Sequence, residues 1–136
     1  MNAHKSKLRA LLAVSMIAIG LVHFLAPAGF VKIVPEWLPA PFVLVLVSGF
    51  FEIAGGVGLL IPKVRRAAGL GLVALYIAVF PANVHMAASD VQPVGFHVPE
   101  LLLWARLPFQ ALFIVWAWWC SREGTTHAET PAPVRN

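Results

Sequence analysis

The chain has 136 residues, room for one domain, and is 60% hydrophobic against 12% charged, where soluble domains carry about 25% charge. A fold this small buries the smallest fraction of its surface, so a water-soluble globule could not hide that much apolar side chain, and the bilayer must form part of the solvent. The net charge of +4 comes without a basic face interleaved with base-reading groups, which excludes nucleic-acid recognition; the one cysteine, Cys120, excludes an intramolecular disulfide or a C-x-x-C redox pair.

Four apolar runs approach the ~20 residues needed to cross ~30 Å of hydrocarbon. They predict an all-α fold, an integral membrane four-helix bundle, because an open strand would leave unpaired backbone groups in lipid and no alternation suggests a barrel. Span one is predicted over about 8–25. The loop after it is broken by Pro27, Gly29, Pro35, Pro39 and Pro41, with Trp37 as an interfacial anchor and residues 30–34 as a short interfacial helix. Span two, about 42–61, contains Glu52 and is stopped by Pro62; Lys63, Arg65 and Arg66 then make a basic turn. Span three covers about 66–86, and Gln92, Pro93 and Gly95 mark the next loop. Pro99 and Glu100 open span four, about 100–120, Pro where no N–H is needed and Glu at the positive end of the helix dipole. Residues 1–120 thus read as one four-span domain and 121–136 as a polar, disordered cytoplasmic tail.

Basic residues set the orientation. Lys5, Lys7 and Arg9 precede span one and Lys63, Arg65 and Arg66 separate spans two and three, whereas the other two loops hold only Lys32. Both termini are therefore expected in the cytoplasm, with Trp116, Trp118 and Trp119 in an inner aromatic belt. The segment 5–28 also imitates a secretory signal peptide, although Pro27 sits awkwardly inside the would-be cleavage motif.

Ionisable residues inside spans cost free energy and mark candidate sites. His23, Glu52, Asn83, His85, Arg106 and Gln110 all fall in the outer half, with Glu52 roughly 15 Å down at 1.5 Å per residue. The inner half offers almost nothing polar apart from Ser15. Glu52 and Arg106 are the expected partners, since an unpaired charge there costs at least ~2.5–3.5 kcal/mol. Ser48, Gly49, Gly55 and Gly56 line the helix face around Glu52 and admit a close neighbour. Pro81 and Pro108 release the carbonyls of Ile77 and Trp104 as acceptors for Asn83, Arg106 or water. Three readings follow: a polar network that fixes helix register, a pocket for a small ligand or quinone head group, or a proton or ion path, for which a relay to the inner face is missing.

His23 and His85 at similar depth also permit haem ligation from two sides, and His23, His85 and His97 a metal site, though no tight ligand spacing supports either. No metal site is therefore expected. Residues 55–58, Gly-Gly-Val-Gly, imitate a phosphate loop but lie inside a span without the strand such a loop requires, so they read as helix packing. Cys120 at the inner interface reads as an inert small residue, with palmitoylation or a reactive thiol the alternatives.

Several segments in order and spacing resemble the DoxX family of small bacterial membrane proteins along nearly all four spans. They are 20–24 (Gly-Leu-Val-His-Phe), 35–39 (Pro-Glu-Trp-Leu-Pro), 48–56 (Ser-Gly-Phe-Phe-Glu-Ile-Ala-Gly-Gly) with 59–62, 79–86 (Val-Phe-Pro-Ala-Asn-Val-His-Met), 106–110 (Arg-Leu-Pro-Phe-Gln) and 116–117. The residues that look like family hallmarks are His23, Glu52, Asn83, Arg106 and Gln110, those that depth had already isolated. The resemblance implies a multi-pass bundle in the bacterial plasma (inner) membrane. It also implies a link to thiosulfate:quinone oxidoreduction or to thiol-stress complexes, while the missing cysteine pair argues against thiol chemistry by this chain.

The leading expectation is a small membrane subunit of a quinone-linked redox system, its candidate pocket formed by His23, Glu52, Asn83, Arg106 and Gln110, with His85 and Ser48 secondary. Quinone is the candidate cofactor, and the expected partners are the lipid bilayer and a redox enzyme subunit or a second copy of the chain. No catalytic residue is named. The alternatives are a scaffold or assembly factor that holds soluble partners at its basic inner turn and tail, and an oligomeric small-solute transporter.

Overall fold

The computed structural model describes residues 3–89, 97 and 99–122; the loop signals at Gln92, Pro93 and Gly95 and most of the predicted tail lie outside the described residues. Among the described residues the fold is all-helical. Four long helices, α1 (Ala3–Leu25), α3 (Pro41–Leu60), α4 (Arg65–Ala88) and α5 (Glu100–Ser121), are each long and apolar enough to cross a membrane. At 1.5 Å per residue their 20–24 residues extend roughly 30–36 Å. A fifth, α2 (Pro27–Val31), is one short turn and a half between α1 and α3.

The helix ends follow local chemistry. Pro27 and Pro41 open α2 and α3, where a fixed φ is preorganised and no N–H is needed. Pro99 caps α5, and Glu100 lies in its first turn against the positive dipole end. The short helix expected at 30–34 starts three residues earlier, because Pro27 initiates it while Pro35 disfavours helical backbone at Val34. Ala40, between two prolines, takes a left-handed conformation (φ 49°, ψ 58°), a local strain that turns the chain into α3. α1 and α4 both begin earlier than predicted, at Ala3 and Arg65, since lysine and arginine propagate helix well and need not stop at a span boundary.

The bundle is ordered α1–α3–α4–α5, with α1 packed most extensively on α3 and α4 on α5. Glycine makes the first of these contacts close. A Cβ on Gly20 would come within 2.7 Å of the Gly49 carbonyl oxygen, and one on Gly49 within 2.6 Å of the His23 Cβ. Lower down, a Cβ on Gly56 would reach 2.7 Å from the Ala13 carbonyl oxygen. The backbones of α1 and α3 therefore touch over two turns or more, the small-residue packing that apolar helices use when no water drives them together.

The two ends of the bundle differ. Leu12, Ala13, Met16, Leu59, Leu72, Tyr76, Ala117 and Cys120 form one buried cluster drawn from all four long helices, nearer the end that carries Lys5, Lys63 and Arg65. At that basic end Arg9, only 3% exposed, donates from Nε to the Cys120 carbonyl at 3.1 Å, and Arg65 donates from Nε to the Leu59 carbonyl at 3.0 Å. Both acceptors are C-terminal carbonyls of helices, groups with no partner inside their own helix and at the negative dipole end. Lys5 adds a bond to the Arg122 carbonyl at 2.5 Å and lies over the Trp119 ring. The expectation that this half is almost free of polar groups is corrected here: Arg9 and Arg65 are buried in it as caps on neighbouring helices, contacts across 111 residues in one case that no local pattern reveals. At the opposite end Met86, Ala87 and Leu103 form only a small cluster with Ile33 against it.

Gly49→Leu should therefore lower the stability of the detergent-solubilised protein by about 1–3 kcal/mol, the usual range for overpacking. Gly71→Ala, where an added Cβ meets nothing within 4 Å, should leave the melting temperature unchanged or slightly raised.

Candidate functional site

Between the two apolar clusters lies a cavity of about 570 Å³, inside the range of small-molecule sites. Its polar lining is His23 from α1, Ser48 and Glu52 from α3, Asn83 from α4, and Arg106 and Gln110 from α5, set in apolar walls that include Phe30, Leu75, Val79 and Phe113. All five leading sequence candidates and Ser48 meet here. His85 is the exception: it lies on α4 outside this lining, so the two histidines weighed as haem ligands do not share the cavity. Among the described residues no three His, Cys, Asp or Glu side chains are grouped to hold a metal ion.

His23 is placed by the glycine crossing, because Gly49 has no side chain to hold α1 off α3. Its Nδ1 lies 2.9 Å from the Ile19 carbonyl and 3.3 Å from Glu52 Oε2. A carbonyl can only accept, so the Nδ1 proton is donated to Ile19, and the carboxylate is left beside the ring without a bond from it. Glu52 is 7% exposed, and its Oε2 is buried with no hydrogen-bond partner among the described residues. The Phe30 ring stacks on the imidazole at 3.9 Å between centroids and 21° between planes, closing the α2 side.

Arg106 does not pair with Glu52. Its Nη1 donates to Met86 Sδ at 2.8 Å, one turn along α4 from Asn83, although both charged residues line the same cavity. The expected ion pair is thus corrected: His23 is the ionisable neighbour of Glu52, because α1 and not α5 is the helix that α3 packs against most closely.

Asn83 and Gln110 form the best-satisfied part of the site. Asn83 Nδ2 donates to Gln110 Oε1 at 2.7 Å, and Gln110 Nε2 donates to the Tyr76 carbonyl. Pro81 leaves the carbonyl of Ile77 without its helical partner, and the carbonyl that Gln110 reaches is that of Tyr76, one residue earlier on α4. Tyr76 itself was not singled out from sequence. Its hydroxyl donates to Met16 Sδ and its ring lies 6.1 Å from Phe113, so it forms the floor that separates the cavity from the core cluster. The signal was present: it is the chain's one tyrosine, within an apolar span and five residues before Pro81. Phe30 and Met86 were also missed, because an apolar side chain next to a polar group carries no separate mark in sequence.

A double-mutant cycle of Asn83→Ala and Gln110→Ala should return a coupling of about 0.5–1.5 kcal/mol in detergent unfolding. The same cycle of Asn83→Ala with Gly71→Ala should return none.

No curated protein and no solved structure matches the chain. A family model described as "Domain of unknown function (DUF8561)" matches residues 12–121, from within α1 to the end of α5, and so includes every residue of the candidate site. The chain belongs to this family.

Proposed function

We propose that this protein crosses a membrane four times with both termini in the cytoplasm, and that the cavity around Glu52 receives the head group of a quinone as part of a small redox subunit in the bacterial plasma membrane. The membrane placement is supported by the outward apolar faces. Leu11, Val14, Phe50, Phe51, Ile77, Phe109, Leu112 and Val115 are all more than half exposed, a surface that lipid covers and water does not tolerate. Orientation rests on the basic end, where Lys63, Arg66 and Arg122 are exposed, and the far end presents Trp37 at 71% exposure as an interfacial anchor.

The observation that carries the ligand reading is the buried, unbonded Oε2 of Glu52 inside a cavity large enough for a ring. Buried polar atoms are nearly always bonded, so an orphaned carboxyl oxygen next to space marks a place for a donor. Arg106 faces the same cavity and spends an N–H on a thioether, a weak acceptor that a carbonyl oxygen outcompetes. A ring with oxygens at opposite ends, accepting from Arg106 when oxidised and donating to Glu52 when reduced, answers both. His23 and Glu52 are titratable groups beside that position, able to take up and return the ring's protons; the electrons come from a partner redox enzyme, as the resemblance to the DoxX family suggests.

By equilibrium dialysis on the detergent-purified protein, binding of a tail-less benzoquinone should weaken about tenfold or more in Arg106→Ala, and binding of the corresponding hydroquinone about tenfold or more in Glu52→Gln, the scale of one lost charge-assisted hydrogen bond. Both variants should still insert in the membrane. Unchanged binding in both sinks the ligand reading. For orientation, single cysteines are placed in a Cys120→Ser background and challenged with a membrane-impermeant maleimide. Trp37→Cys should label in intact cells and Lys63→Cys only after the membrane is opened; the reverse pattern overturns the proposed topology.

A further inference from the structure

A second cavity, about 780 Å³, runs between the end of α1, α2 and the first half of α5. It differs from the first in chemistry: apart from Arg106 its lining is apolar or backbone, from Val22 and Leu25 on α1 to Leu102 and Ala105 on α5. The two are not independent. Phe30, Ile33, Arg106 and Phe109 line both, so one thin wall of side chains is all that separates the polar cavity from this groove. The groove exists because α1 and α5 approach each other only weakly, with Arg9 and Lys5 bonded to the end of α5 at the basic end and α2, packed on α3 and α1, facing α5 across open space at the other. Leu25 and Leu102, on its two rims, are exposed on the outer surface of the bundle.

We infer that the ligand is an amphiphile which enters sideways from the lipid, its head group in the cavity at Glu52 and its apolar tail lying in the groove between α1 and α5. This rests on the head-group reading above and extends it to the class of molecule and its route. Arg106 stands at the junction, where the polar head must pass from lipid into protein, and Phe30 is the movable part of the wall. Phe30 belongs to a helix of five residues, none of them fully buried, and its ring leaves the imidazole of His23 when the passage opens. The continuity of the two spaces names the occupant. A head group alone fills only the inner cavity, a plain acyl chain leaves Oε2 of Glu52 unbonded, and a molecule with both parts satisfies both.

The test compares a tail-less benzoquinone with its decyl-chain homologue on the full-length protein in nanodiscs. The wild type should bind the decyl compound at least about tenfold tighter, equivalent to burying about two methylenes in the groove. Ala105→Phe, which fills the groove, should remove that advantage and leave the tail-less compound's affinity unchanged; Leu102→Trp, at an exposed position on the same rim, provides an obstruction that does not load the core. Equal affinity for the two compounds in the wild type, or a tail advantage that survives both substitutions, overturns the inference. If neither quinone binds, the head-group reading fails by itself, and a photoactivatable decyl alcohol then decides the groove. Labelling of the 102–109 segment that Ala105→Phe abolishes supports an amphiphile with a different head, and labelling spread evenly over all four long helices overturns it.

Discussion

The close approach of α1 to α3 is the contact on which the rest of the structure depends. Gly20 and Gly49 lie backbone to backbone near one end of this crossing, and Gly56 does the same against Ala13 further along. In a chain whose outer faces are apolar, burial of apolar side chains does not distinguish one helix neighbour from another, and packing density decides instead. Two helices without side chains at their crossing gain that density and fix their register. His23 is carried to α3 by this contact and arrives beside Glu52.

The same constraint explains why the bundle is closed at one end and open at the other. At the basic end all four long helices contribute to one buried cluster, and buried arginines bond the last carbonyls of α3 and α5. At the other end α2 packs on α3 and α1, and the space between it and α5 stays open. Space left between helices there is lined by whatever the four long helices present, which is where the polar residues are. Cavity and polar lining are two results of one asymmetry.

Within that space the polar groups are not equally satisfied. Asn83 and Gln110 complete a short chain of bonds ending on the Tyr76 carbonyl, and they hold α4 to α5. Glu52 has a histidine next to it whose nearer nitrogen is already committed to Ile19. Among the described residues Arg106 has only sulfur. A network built solely to fix helix register would have no reason to leave its two strongest hydrogen-bonding groups with the poorest partners, and this contrast is what favours a ligand over a purely structural role.

The sequence by itself determined the number of long helices, their approximate limits and which residues are polar where apolar ones are expected, because length, hydropathy and proline placement are local properties. It also marked His23, Glu52, Asn83, Arg106 and Gln110 as one group, since depth along a span follows from counting residues. It did not determine who pairs with whom. Glu52 and Arg106 look complementary by charge and depth, yet pairing depends on which helices adjoin, and that was decided by glycine contacts between α1 and α3. Nor did it show Arg9 and Arg65 as buried caps, Tyr76 as the cavity floor or Phe30 as a wall: Arg9 and Tyr76 acquire their roles from residues far away in the chain, and Arg65 and Phe30 from the way a turn folds back on the helix before it. Composition and period are written along one helix; neighbours are chosen only when the helices pack.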